Sequence, residues 1–244
     1  MVNRPFRNPH HTISQISMVG GGKNPIPGEI SLAHLGVLFL DELPEFKKST
    51  IEALREPLED RKIIINRVNN IFEYPCEFML IASMNPCPCG YYGSKEQECI
   101  CSEKERKKYI EKISGPFLDR IDIKVEAMPL KYEKISQNEM LEKSEEVRKR
   151  VNNAKNIQIL RYKNENILSN SELTPDLIKK FCVIDNASNV LLEQAFNKLH
   201  LSVRGYNKIL KVARTIADLD NKEKIELQHI AEAIQYKSIE SDLL

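Results

Sequence analysis

The stretch Leu35-Gly36-Val37-Leu38-Phe39-Leu40-Asp41-Glu42 sets the tightest limit on how this chain can fold. Its apolar run is too short for a helix and dense enough for a β-strand buried on both faces, as in a parallel sheet. Two carboxylates follow it at once. In an open α/β sheet, ligands bind outside the carboxyl ends of the strands, so acids at that end have a chemical reading. Asp41 suits a Mg²⁺ ion carried by nucleotide phosphates, and Glu42 suits a group that orients or deprotonates an attacking water. The alternative is a buried strand that stops at a solvated acidic turn.

A second apolar strand is expected at Glu77–Ser83, closing on Met84-Asn85-Pro86. If it lies beside the acidic strand, Asn85 stands where an amide holds water against a terminal phosphate; taken alone it is a turn residue before proline. A third buried strand is expected over Ile121–Val125. Just ahead of it, Arg120 lies between Asp119 and Asp122. It reads either as a local ion pair or as an arginine offered across a subunit interface to a neighbour's nucleotide.

Between these strands, a helix is expected from Ser49 to about Asp60, with Ile51, Leu54 and Leu58 on one face. A β-hairpin follows, Arg61–Val68 and Ile71–Tyr74 around Asn69-Asn70. Its basic tip, with Arg61, Lys62 and Arg67, is either a phosphate contact or a charged, solvated edge. Ahead of the acidic strand, Arg4–His11 reads as extended loop, with His10 and His11 as polar surface. Gly20-Gly21-Gly22 reads as a turn, because it lacks the GxxxxGK[ST] spacing of a phosphate loop.

Cys87-Pro88-Cys89 and Cys99-Ile100-Cys101 form two CxC pairs nine residues apart. Glycine and proline turns between them allow four thiolates to surround a tetrahedral Zn²⁺; the alternative is four free thiols. Cys76 and Cys182 sit in apolar surroundings and read as core residues.

The carboxyl-terminal part is helical. A long charged helix is expected from Ser136 to about Arg161, then a polar link. Thr174-Pro175-Asp176 is a strong helix start, and three further helices follow at Ala187–Leu199, Ser202–Leu219 and Lys224–Tyr236. Arg204 stands in the first turn of the third of these four helices, either as a surface cation or reaching out to a phosphate. The expected organisation is an α/β core over residues 1–130, a connecting helix and linker over 131–168, and a helical lid over 169–244.

Composition adds exclusions. With 36 basic and 35 acidic side chains the net charge is +1, so no global basic field advertises nucleic acid. No apolar run approaches a membrane span, and Met1–His11 lacks the apolar core of a signal peptide, so the expected compartment is the cytoplasm.

Taken together and in order, GEISLAHLGVLFLDELPEF, ASMNPCPCGYYG, the second CxC pair, SGPFLDRIDI and LSVRGYNKILKVARTIADL resemble the magnesium-chelatase-like AAA+ ATPases, in the bacterial ComM/YifB branch. The resemblance runs from about Arg4 to Lys237. It implies an AAA+ P-loop-type core, a parallel sheet with flanking helices and here incomplete, followed by an α-helical lid, in a homo-oligomeric, hexameric ring with Mg²⁺-ATP between subunits. By motif position it makes Asp41 and Glu42 the Walker B pair, Asn85 sensor 1, Arg120 the arginine finger and Arg204 the sensor 2 contact to ATP phosphate. The hairpin near Arg67 corresponds to an insertion that faces the pore. The branch is associated with DNA branch migration in natural transformation, while related proteins drive metal insertion into porphyrin.

One departure is as informative as the agreement. Members of the family carry a GxxGxGK[ST] phosphate loop, and no GK[ST] occurs here: Gly22-Lys23 is followed by Asn24. That loop supplies backbone N–H groups, a lysine and a magnesium ligand. The expectation is a fragment or one part of a split gene product, which alone binds ATP weakly and turns it over negligibly. A non-catalytic regulatory or scaffold module of the same fold, or a chelatase-type subunit, are the other readings.

Overall fold

In the computed structural model, residues 3–22, 25–67, 70–94, 96–127 and 142–243 are described. The chain divides into two units, 1–121 and 122–243. The first is built on three short parallel strands. β1 (Phe6–Arg7) leads through a loop to helix α1 (Gln15–Val19), whose N-cap Ser14 accepts a bond from the backbone of Ser17. β2 (Gly20–Gly21) and β3 (Ile26–Pro27) make a small antiparallel ladder, so the glycine run is part of a paired turn. The short helix α2 (Glu29–Leu32) follows, and then β4 (Val37–Leu40). Gly36 is required just before it: a Cβ there would lie 2.0 Å from the carbonyl oxygen of Pro5, which accepts the Val37 N–H.

After a 3₁₀ turn at Leu43–Glu45, the helix expected from Ser49 to Asp60 forms as two pieces, α3 (Lys48–Glu52) and α4 (Arg55–Asp60). The hairpin is β5 (Lys62–Arg67) against β6 (Asn70–Pro75), with Ile63 opposite Tyr74 and Ile65 opposite Phe72. β7 (Met79–Ala82) then pairs with β4 in parallel, Leu40 opposite Ala82, giving the strand order β1-β4-β7. Helices α5 (Glu103–Ile110) and α6 (Gly115–Leu118) complete the unit.

The expectation that β4 is buried on both faces is corrected. Leu38 and Leu40 are fully buried, with Ile30, Ile51, Leu54 and Phe117 in the same core. The opposite face carries Val37 and Phe39 beside the exposed Phe6, Met79 and Ile81. The strand is apolar on both sides, and only one side is covered within this unit. The third expected strand is also corrected: Ile121–Val125 is not a strand, and Ile123 and Val125 are exposed. β-rich composition alone does not make a strand.

In the second unit, α7 (Ser144–Arg161) starts at its extended N-cap Lys143, so the long charged helix expected from Ser136 is corrected to begin at Ser144; Ser136 itself and the expected boundary between core and linker lie outside the described residues. The four expected lid helices are α8 (Pro175–Phe181), α9 (Asn186–Lys198), α10 (Val203–Leu219) and α11 (Leu227–Leu243). Thr174 caps α8 by accepting the Leu177 N–H, as its sequence predicts. Leu192, Ile209, Ala213, Ala217 and Ile230 form the core. Within it lies a polar knot. The carboxylate of Asp218, fully buried, accepts from both terminal guanidinium nitrogens of Arg161, from Arg214 and from Asn170. Asn170 in turn accepts from the Tyr162 hydroxyl at 2.6 Å. These bonds fasten the end of α7 to α10.

Two stability predictions follow. Leu40→Ala removes a fully buried side chain from the first unit and should lower its unfolding free energy by about 2–5 kcal/mol; urea titration showing a loss under about 1 kcal/mol would contradict the packing described. Asp218→Ala leaves Arg214, which is 2% exposed, without its carboxylate, and should cost the second unit about 3–5 kcal/mol. A melting curve for that unit matching the parent chain would refute the knot.

Candidate functional site

The carboxyl end of β4 delivers Asp41 and Glu42 as the sequence predicts, and both side chains are exposed there. What holds them is Ser83, the first residue beyond β7. Its hydroxyl donates to Asp41 Oδ1 and accepts the Glu42 N–H at 3.3 Å. Its backbone N–H reaches the Leu40 carbonyl at 3.0 Å, and its carbonyl accepts the Leu43 N–H at 2.9 Å. The Glu42 N–H also lies 3.1 Å from Asp41 Oδ1. These contacts hold Glu42 in the left-handed region, at φ 54° and ψ 49°, a conformation a side chain adopts only when its surroundings over-determine it.

Asn85 stands two residues past Ser83 and is exposed. Its backbone N–H faces the hydroxyl of Tyr109 on α5. Burial raises the pKa of that hydroxyl, the Glu45 carboxylate raises it further, and the Asn85 N–H opposes the shift; Glu42 and Cys87 act on it more weakly. The two acids, the strand end before Asn85 and Tyr109 therefore meet along one edge of the sheet. Ser83 and Tyr109 were not singled out in the sequence. Ser83 had a signal in its register, one step beyond the Leu40–Ala82 pair; Tyr109 had none.

The loop after β1 brings in a third residue. His11, 31% exposed, stands at the polar surface as read from the sequence, and its Nδ1 lies 3.7 Å from Glu42 Oε2.

Arg120 follows α6 and is engaged within its own unit. Its guanidinium contacts Glu59 at 2.5 Å and donates to the carbonyls of Arg55 at 3.1 Å and Pro116 at 2.5 Å, leaving the side chain 12% exposed. Arg204 belongs to the second unit and is exposed in the first turn of α10.

The basic hairpin tip is corrected in its geometry. Arg61 and Lys62 lie at the base of the hairpin, where α4 ends and β5 begins. Arg61 pairs with Glu77 at 3.2 Å and Lys62 with Glu73 at 3.0 Å. Only Arg67, the last paired residue of β5, stands next to the turn. A hairpin separates its first residue from its turn by the length of the strand, so the three cations cannot cluster.

The cysteines do converge. Cys87 is buried, Cys89, Cys99 and Cys101 are half-buried, and all four sulfurs lie within 4.8 Å of one another. Cys87 Sγ is 3.3 Å from Cys89 Sγ and 3.7 Å from Cys99 Sγ, and Cys89 Sγ is 3.6 Å from Cys99 Sγ. Four sulfurs at about 2.3 Å from one Zn²⁺ would form a tetrahedron with edges of about 3.8 Å, close to this packing. The backbone N–H of Tyr91 leads in lowering the Cys89 thiol to about 6, while burial leads in pushing Cys101 up to about 12. One thiolate is favoured, and a second beside it is opposed unless a cation sits between them. Arg106 braces the loop, its guanidinium 4.4 Å from the Tyr92 ring centroid and bonded to the Cys101 carbonyl at 2.6 Å. Cys76 and Cys182 are buried core residues, as expected. Among the described residues, no helix is long and apolar enough to cross a membrane.

Comparison with known proteins agrees with this arrangement. Residues 1–135 match the family described as magnesium chelatase, subunit ChlI, and residues 141–237 match the ChlI C-terminal family. The chain is 45% identical over 238 residues to competence protein ComM of Haemophilus influenzae, covering 97% of this chain and 45% of that protein. It is 44% identical over 243 residues to the uncharacterized protein YifB of Escherichia coli, covering 99% and 47%. An uncharacterized protein of Mycobacterium bovis is 36% identical over 234 residues, covering 96% and 46%. The chain thus spans about half the length of these relatives. A parallel sheet ending in Asp41-Glu42, a separate helical unit and these matches lead to one statement: the chain belongs to the magnesium-chelatase-like AAA+ family, in the branch that contains ComM and YifB.

Proposed function

We propose that this chain is the catalytic-edge and lid portion of a cytoplasmic AAA+ motor that couples hydrolysis of Mg²⁺-ATP to remodelling of DNA. The observation that carries the proposal is the clamp of Ser83 on the Asp41–Glu42 turn, which holds both acids at the carboxyl edge of the sheet. In this reading Asp41 holds the nucleotide-bound Mg²⁺, directly or through its waters, and Glu42 orients and deprotonates the attacking water. Asn85 holds that water against the terminal phosphate. Arg120, which would first have to leave Glu59, acts on a neighbour's nucleotide across a hexameric interface, and Arg204 contacts phosphate from the lid. The name of the Haemophilus relative, a competence protein, supports a role in transformation, with branch migration as the proposed work on DNA. Arg67 at the hairpin turn is the weak candidate for DNA contact; Arg61 and Lys62, already paired with glutamates, contribute less.

The cysteine cluster has a structural reading. Cys87, Cys89, Cys99 and Cys101 would hold a structural Zn²⁺ that ties the loop after β7 to the start of α5.

Three outcomes are expected. In the full-length protein, Glu42→Gln should retain ATP binding and lower turnover by about 100-fold or more; a steady-state rate within about threefold of the parent would remove Glu42 from the mechanism. The present chain alone should show no Mg²⁺-dependent phosphate release above background, and robust release would overturn the need for a phosphate loop supplied from elsewhere. Protein purified without chelator should carry about one zinc per chain by elemental analysis. Absence of metal, with all four thiols open to alkylation, would reduce the cluster to free cysteines.

A further inference from the structure

We infer that the four-cysteine site is a positioning device for Asn85, acting through the phenol of Tyr109, so that a metal ion held there bears on the catalytic edge as well as on its own loop; this rests on the readings of Asn85 and of the cysteines given above. Cys87 follows Asn85 and Pro86 directly and is fully buried. Cys101 directly precedes Ser102, the N-cap of α5. The cluster therefore joins the chain leaving the sheet edge to the start of a helix that returns to that edge.

The direction of the helix is fixed at its start. The Ser102 hydroxyl accepts the Glu105 N–H at 3.3 Å, and the Glu105 carboxylate accepts the Ser102 N–H at 2.8 Å. This reciprocal cap sets the angle at which α5 leaves the cysteines. Tyr109 comes about two turns later. Its side chain is buried and its hydroxyl meets the backbone N–H of Asn85. Lys112, just past the end of α5, donates to Glu45 at 3.2 Å, in the 3₁₀ turn that continues from Glu42. The segment from Ser102 to Lys112 thus touches the edge both at Asn85 and just beyond the acidic pair.

These contacts close a circuit. Asn85 connects to Cys87 along the backbone, Cys87 to Cys101 through the packed sulfurs, Cys101 to Tyr109 along α5, and Tyr109 back to Asn85. One ion bound by all four sulfurs gives the circuit a fixed length. Take the ion away and thiol contacts alone hold the helix start to the loop. Asn85 is exposed at a strand end, so a contact on its backbone governs where its amide points.

Steady-state ATP turnover by the full-length protein, with zinc measured by elemental analysis in every variant, tests this. Tyr109→Phe keeps the ring and removes the hydroxyl; it should retain about one zinc per chain, lower kcat about threefold to tenfold and leave KM for ATP within about twofold. Cys101→Ser should lose the metal and lower kcat by about tenfold or more. The same two changes are then made in Asn85→Ala, which keeps the backbone N–H and has no amide to aim. There, neither should lower kcat by more than about twofold further. Equal fold losses with and without the Asn85 amide would reduce the cluster to a loop brace and overturn the proposal, as would Tyr109→Phe turning over at the parent rate. Should Cys101→Ser not fold, the Tyr109→Phe and Asn85→Ala pair decides the question alone. The premises fail visibly apart from this: Asn85→Ala with parental turnover refutes the role of Asn85, a parent protein without zinc refutes the metal, and either result overturns the proposal with it.

Discussion

The hydrogen bond from the Ser83 hydroxyl to Asp41 is the constraint on which the site depends. Two parallel strands end there, and what emerges from one is fastened to what emerges from the other. The bond fixes the Asp41 carboxylate, the accompanying bond to the Glu42 N–H holds that residue in a left-handed conformation, and the Leu43 N–H closes the turn on the Ser83 carbonyl. Strain at Glu42 is sustained because three contacts over-determine it. A turn held only by its own residues would relax and carry the second carboxylate away from the first.

Behind that edge, the core supplies stiffness on one side only. Leu38 and Leu40 anchor β4 to α3, α6 and the 3₁₀ turn, while Phe6, Met79 and Ile81 stand on an uncovered face. A one-sided sheet can still position its carboxyl edge, because register is set by the ladder and by whichever face is packed. In the second unit the same economy holds through polar groups: Asp218 draws together Arg161, Arg214 and Asn170, so the long helix α7, buried only at Ala154 and Gln158, is nevertheless pinned at its end.

How much of this was legible in the sequence follows from how local each signal is. The strand ending in Asp41-Glu42, the partner strand before Asn85, the Thr174 cap and the four lid helices are written in runs, spacings and capping residues a few positions apart, and they stand where they were expected. The cysteine cluster was legible for the same reason, since two tight pairs separated by glycine turns have few ways to avoid meeting. What was hidden depends on approach between distant segments. Ser83 and Asp41 are 42 residues apart, and His11 meets Glu42 only because β1 lies beside β4. The strand expected at Ile121–Val125 had the right composition and forms no strand, and the imagined basic tip failed because Arg61 and Lys62 stand at the near end of the hairpin strand whose far end carries Arg67.

The central claim is that the Ser83-clamped acids face the outer phosphate of a bound nucleotide. The structure of the full-length protein with Mg²⁺ and a non-hydrolysable ATP analogue tests it most directly. The account predicts the Asp41 carboxylate bound to the Mg²⁺ ion directly or through one of its waters, with Glu42 and Asn85 on either side of the water in line with the terminal phosphate. A nucleotide seated elsewhere, or an acidic turn that has left Ser83 and points away from the phosphates, would contradict it.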